Sequence, residues 1–152
     1  NTFENKRDKE ILLNLFTTRE RGFCVWGAPT NDVFTEIPAE YYFRSVIEDI
    51  RHTRKHIHEK PRLSGYDVTV YWILCSCRIL AFIREEKVLS KLEGGHWGIA
   101  HLPEEYHGLI RQAISSYRGI RKRGYHWKYK ELEAFADYMT ETILKESEPK
   151  IR

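Results

Sequence analysis

"VTVYWILCSCRILAFIREE", residues 68–86, decides the fold. Val68, Val70, Tyr71, Trp72, Ile73, Leu74, Ile79, Leu80, Phe82 and Ile83 cover nearly the whole circumference of a helix. A helix that is apolar all round sits at the centre of its domain, wrapped by others. The chain has no run of 18 apolar residues, so no segment reads as a membrane span. One charge interrupts the pattern. Arg78 has Leu74, Cys75, Ala81 and Phe82 as its neighbours one turn away, all apolar. A guanidinium in such a setting needs an anion, because an unpaired buried charge is very costly. An internal carboxylate such as Glu48 or Asp49 would serve, and so would a bound phosphate, which suits the planar fork. The residues alone favour the carboxylate.

Downstream, "SKLEGGHWGIAHLP", residues 90–103, opens as a helix over 90–101, with Ser90 as cap and Glu93 at capping-box spacing. Lys91 takes the first helical position, where free N–H groups and the helix dipole already favour an anion. For any single lysine, a solvated side chain is the strong reading from the residues alone. Gly94 and Gly95 fall in the first turns, where each costs roughly 0.5–1 kcal/mol relative to Ala. Pro103 opens a further helix carrying Tyr106, Ile110, Ala113, Ile114 and Tyr117 on one stripe. A last helix over 129–146 follows Leu132, Phe135, Met139 and Ile143.

Upstream, Ile11, Leu12, Leu15 and Phe16 predict a helix over 5–20, ended by Gly22. "FCVW", residues 23–26, predicts one short strand, and "GAPTND" a loop. Pro38 fits the first turn of a helix running to about Glu59, with Tyr42, Val46, Ile50 and Ile57 inward. Pro61, Ser64 and Gly65 make a loop, and Asp67 caps the central helix. The expectation is an all-α bundle of five or six helices, with one short strand near 23–26.

The 152 residues, 41% of them apolar, suffice for one domain with a real core. The first residue is Asn1 and not Met, as in a fragment or a processed chain. The charged N-terminus shows no signal peptide, and three cysteines, Cys24, Cys75 and Cys77, lack framework spacing. Reduced thiols in a cytoplasmic protein are expected, with Cys75 and Cys77 as core filler. A net charge of +3 does not announce a nucleic-acid binder. Residues 118–130 hold Arg118, Arg121, Lys122, Arg123, Lys128 and Lys130 without an acid. His126, Trp127 and Tyr129 among them can stack bases, but such aromatics more often fold back onto the bundle. His52 and His56 are one turn apart with no evident third metal ligand. The chain contains no P-loop, no G-x-S-x-G, no paired CxxC, and no Gly-Ser followed by the paired carboxylates of Asp-x-Asp. No complete active site is written in it.

"CRILAFIREEKVLSKLEGGHWGIAHLPEEYHGLIRQAISSYRG", residues 77–119, resembles the C-terminal helical domain of the streptomycin/spectinomycin adenylyltransferases. The likeness includes Arg78-Ile79, Lys91, Trp97, Leu102-Pro103, Tyr106 and Tyr117-x-Gly119. "VFTEIP", 33–38, resembles the family's entry into this domain, and "RERGFCVWGAP", 19–29, the tail of the preceding nucleotidyltransferase domain. The resemblance implies residues 1–30 as that tail and 31–152 as the helical domain. It implies transfer of AMP from ATP to a hydroxyl of an aminoglycoside-like small molecule. The preceding domain of the same polypeptide would hold magnesium and supply the base. Lys91 and Arg78 match positions associated with the ATP phosphates, and Tyr117 a position near the nucleotide. For Arg78 this brings phosphate level with carboxylate. Asp67, Tyr71 and Trp97 are the candidate substrate-binding residues. Thr53 stands where streptomycin-accepting members carry Trp, and the following loop is longer, so a spectinomycin-like drug or another small molecule is expected instead. Neither a membrane nor a nucleic acid is expected as partner, and this chain alone is expected to show no transferase activity. Gly94 and Gly95 would let a neighbouring helix or the nucleotide approach closely, so that valine at both would abolish nucleotide binding without unfolding the bundle.

A rival reading rests on "RHTRKH", residues 51–56. The spacing of Arg51 and His56 resembles the Arg-x4-6-His pattern of HEPN ribonucleases, also helical, and implies a stand-alone module acting on RNA.

Overall fold

The computed structural model describes residues 6–59, 66–120 and 126–150, side chains at 6–13, 39, 66 and 67 excepted. Seven α-helices follow one another in the described chain: α1 (Lys6–Arg21), α2 (Thr30–Val33), α3 (Ala39–Glu59), α4 (Tyr66–Glu85), α5 (Lys91–His101), α6 (His107–Tyr117) and α7 (Tyr129–Ser147). Since α2 is a single turn, six helices build the bundle, as the periodicities predict. Asp67 lies inside the first turn of α4 instead of capping it; its side chain is outside the described residues.

Helix α4 is the axis. Ile73, Leu74, Cys77, Leu80 and Ala81 are wholly buried, and α5, α6 and α7 pack around them, while α3 lies on α7 and α1 on α3. Trp72 meets Phe135 of α7 edge-on at 5.7 Å. Phe16 of α1 packs against Tyr42 and Phe82 at 4.7 and 5.4 Å. The all-round apolar reading fails at two places: Val68 and Tyr71 are exposed near the start of α4. The helix stops at Glu86, held in the left-handed region at φ 56° with its N–H on the Phe82 carbonyl at 2.9 Å.

The glycines of α5 make its close crossing with α4 possible. A Cβ on Gly94 would stand 2.7 Å from the Arg78 Cβ and 3.0 Å from its Cα and N. On Gly95 it would meet Leu74 and Ile114 at 2.8 Å, and on Gly98 the Cys77 Sγ at 2.7 Å. The close neighbour is therefore a helix, and valine at 94 and 95 cannot leave the bundle intact as expected from sequence. Overpacking of this kind costs about 1–3 kcal/mol even for small groups.

The predicted strand is absent. Residues 23–26 form no ladder and bend at Val25 and Trp26, with Phe23, Val25 and Trp26 exposed by 85, 88 and 95%. A strand needs a neighbour for its backbone groups, and the described chain offers none beside this segment.

Candidate functional site

The first turn of α5 is built by its cap. Ser90 is extended, its Oγ accepts the Glu93 N–H at 3.3 Å, and its own N–H donates to Glu93 Oε2 at 2.7 Å. This capping box satisfies two donors of the turn. The Ser90 backbone N–H, then its hydroxyl and the Arg21 guanidinium, hold the Glu93 carboxyl down at about 2.

Lys91 rises from this turn. Its Nζ lies 4.7 Å from the ring centre of Tyr71 on α4 and 5.9 Å from that of Tyr117 at the end of α6. Both distances fall in the cation–π range. Tyr71 and Tyr117 are 48 and 49% exposed, so both side chains are partly open to solvent. Among the described residues no carboxylate pairs with Lys91.

Tyr71, Cys75 and Arg78 lie on one stripe of α4, at i, i+4 and i+7. Arg78 is half-buried, and no described carboxylate forms an ion pair with it. The internal salt bridge to Glu48 or Asp49, favoured by the residues alone, is thus not among the described ion pairs. Burial is the main influence on the Cys75 thiol and pushes it up; the positive charges of Arg78 and Lys91 pull the other way and lose. The thiol stays protonated at neutral pH. Cys75 in turn, followed by burial, raises the Tyr71 phenol to about 12. Burial does the same to Tyr42, again to about 12 and again against the charge of Arg78. Asp49 on α3 acts on Tyr71 and Cys75 from the opposite sign. Lys91 thus lies against Tyr71 and Tyr117, and Arg78 adds a second positive charge that acts on Tyr71 and Cys75. Next to Tyr117 in the chain, Arg118 Nη2 donates to His96 Nε2 at 3.4 Å.

The structure thus brings Lys91, Arg78, Tyr71 and Tyr117 together and leaves Trp97 apart. Trp97 is buried, donates its indole N–H to Glu85 Oε1 at 2.6 Å and stacks on His101 at 4.5 Å. Glu85 is fourteen residues beyond Tyr71 on α4, about 21 Å along the axis. Trp97 fastens the far ends of α4 and α5 together. Sequence reading misses Arg21, whose side chain reaches Glu93 and Val88 across the molecule, because no local pattern marks such a contact. It also leaves Cys75 as mere filler; its one-turn spacing from Tyr71 and its three-residue spacing from Arg78 are the available signal.

Other candidates disperse. Arg51 and His56 lie on α3, five residues and so about 140° apart around the helix, on different faces. Among the described residues no group of three or more His, Cys, Asp or Glu is arranged to hold a metal. Trp127 is buried, folded back onto the bundle; Arg121, Lys122 and Arg123 lie outside the described residues. All three cysteines are free, and among the described residues no helix is long and apolar enough to cross a membrane. A cavity of about 390 Å³, floored by Phe16, Ile37, Phe43 and Phe82, opens elsewhere and contains none of the predicted residues.

Residues 32–142 match the family model described as "Aminoglycoside adenylyltransferase, C-terminal domain". No curated protein matches the chain. The match includes α3 to α6, most of α7 and all four clustered residues, and it also spans residues 51–56. The chain belongs to the family of C-terminal domains of aminoglycoside adenylyltransferases.

Proposed function

We propose that this chain is the helical half of an enzyme that moves AMP from ATP to a hydroxyl of an aminoglycoside such as spectinomycin. Residues 1–30 would be the tail of a preceding nucleotidyltransferase domain, a reading supported by the exposed side chains of Phe23, Val25 and Trp26. The observation that carries the proposal is the placement of Lys91: a cation at a helix N-terminus, between two partly exposed tyrosines, with Arg78 on the adjoining stripe and no described carboxylate on either. An anion of several charges suits such a surface.

In this reading Lys91 and Arg78 neutralise the triphosphate and Tyr117 flanks the nucleotide. Tyr71 and Asp67 border the acceptor. The new bond joins the acceptor oxygen to the α-phosphorus, and pyrophosphate leaves. The hydroxyl proton passes to a base on the preceding domain, which also holds magnesium. The helical domain contributes position and charge, the main sources of acceleration in nucleotidyl transfer. The three free thiols suit the reducing cytoplasm, where ATP is abundant.

Calorimetric titration of the chain with ATP tests the reading. Lys91→Ala is expected to weaken binding by about tenfold, the scale of one charge-assisted contact. Equal affinity in the variant would reject it. Radiolabelled ATP and spectinomycin with the chain alone should yield no labelled drug; turnover would show that a second domain is dispensable.

A further inference from the structure

Arg21 closes α1, yet its guanidinium engages α5. Nη1 donates to the Val88 carbonyl at 2.7 Å, and Nη2 donates to both Glu93 oxygens at 3.2 Å. One side chain so grips the loop before α5 and the third residue within it. Glu93 is at the same time the acceptor that closes the capping box on Ser90. Lys91 stands between these fixed points, at positions 88, 90 and 93. A terminal helical turn has fewer backbone bonds than the helix interior and opens more readily. In the other direction from Arg21 the chain leaves the bundle at once: Phe23, Val25 and Trp26 are almost wholly exposed.

We infer that Arg21 is a positioning residue: it fixes the first turn of α5, and with it Lys91, to the point where the chain departs from the bundle. The functional half of this inference rests on the reading of Lys91 as a phosphate ligand; the mechanical half rests on the three hydrogen bonds. Seating of a preceding domain on residues 22–26 would bear directly on Arg21. The planar fork matters, because two separate N–H groups serve two acceptors that one ammonium cannot satisfy in the same geometry.

The test uses the chain itself with Arg21→Lys, Glu93→Gln and Lys91→Ala. Arginine to lysine keeps the charge and loses the fork, and Gln at 93 preserves the capping box while removing the ion pair. Amide exchange is read by NMR at Glu93 and Gly94, whose N–H groups bond to Ser90. Affinity for inorganic tripolyphosphate is read by calorimetry at fixed salt. Arg21→Lys and Glu93→Gln should each speed exchange at these amides by about threefold or more and weaken tripolyphosphate by a similar factor. Lys91→Ala should weaken tripolyphosphate by about tenfold with exchange unchanged. Wild-type exchange in both Arg21→Lys and Glu93→Gln overturns the clasp. Faster exchange with wild-type affinity overturns its role in positioning Lys91. If Lys91→Ala binds as tightly as wild type, the phosphate reading falls, and exchange alone then decides the clasp.

Discussion

Gly94 lies so close to Arg78 that a Cβ on the glycine would come within 2.7 Å of the arginine's own Cβ. The crossing of α4 and α5 is therefore set by backbone against backbone at the position of a functional candidate. Gly94→Ala gains about 0.5–1 kcal/mol of helix propensity but must push apart two main chains, for a net loss of about 1–2 kcal/mol. Gly108, near the start of α6, has nothing within 4 Å of where an alanine methyl would stand, so Gly108→Ala should stabilise by about 0.5 kcal/mol. Urea denaturation of the two variants should thus move the midpoint in opposite directions.

Glu93 gives a pH signature. Its carboxyl is held at about 2 in the folded chain against an ordinary 4.5. A depressed carboxylate contributes stability that is complete above the unfolded value and fades as pH falls through the folded one. The stability difference between wild type and Glu93→Gln should be constant above about pH 5 and shrink steadily between 4.5 and 2. The group is exposed, so its size should stay below about 1 kcal/mol and decline with added salt.

The C-terminal end of α4 is tied to α7 by Arg84, whose Nε and Nη2 donate to the two Glu146 oxygens at 2.8 and 2.7 Å. That hydrogen bonding lowers the Glu146 carboxyl despite partial burial. Arg84→Lys cannot reproduce the paired bonds and should cost about 1 kcal/mol in thermal unfolding.

Leu80 and Tyr117 separate folding from binding. Leu80 is wholly buried, so Leu80→Ala should cost about 2–5 kcal/mol. Tyr117 is half exposed, so Tyr117→Ala should change stability by no more than about 0.5 kcal/mol while weakening ATP. Chemical denaturation and ATP titration of both variants check the split.

The bundle is legible in the sequence because its helices announce themselves locally. The near-continuous apolar circumference of α4 and the Ser90–Glu93 box each rest on spacings within one or two turns. Lys91 is legible as an oddity, a cation at a helix start. Its meeting with Tyr71 and Tyr117 is not, since those side chains come from three helices whose crossing depends on glycines. Trp97 has a structural partner that no local pattern marks: its indole N–H donates to Glu85 at the far end of α4. Residues 23–26 carry a strand's composition, but a strand is a property of two segments.

Of the four tryptophans, Trp72, Trp97 and Trp127 are at most 7% accessible, whereas Trp26 is 95% accessible. Collisional quenchers such as acrylamide will accordingly silence one indole and spare the rest. Should another protein surface cover that segment, fluorescence would turn bluer and escape the quencher, giving the chain a native optical gauge of assembly that needs no added label.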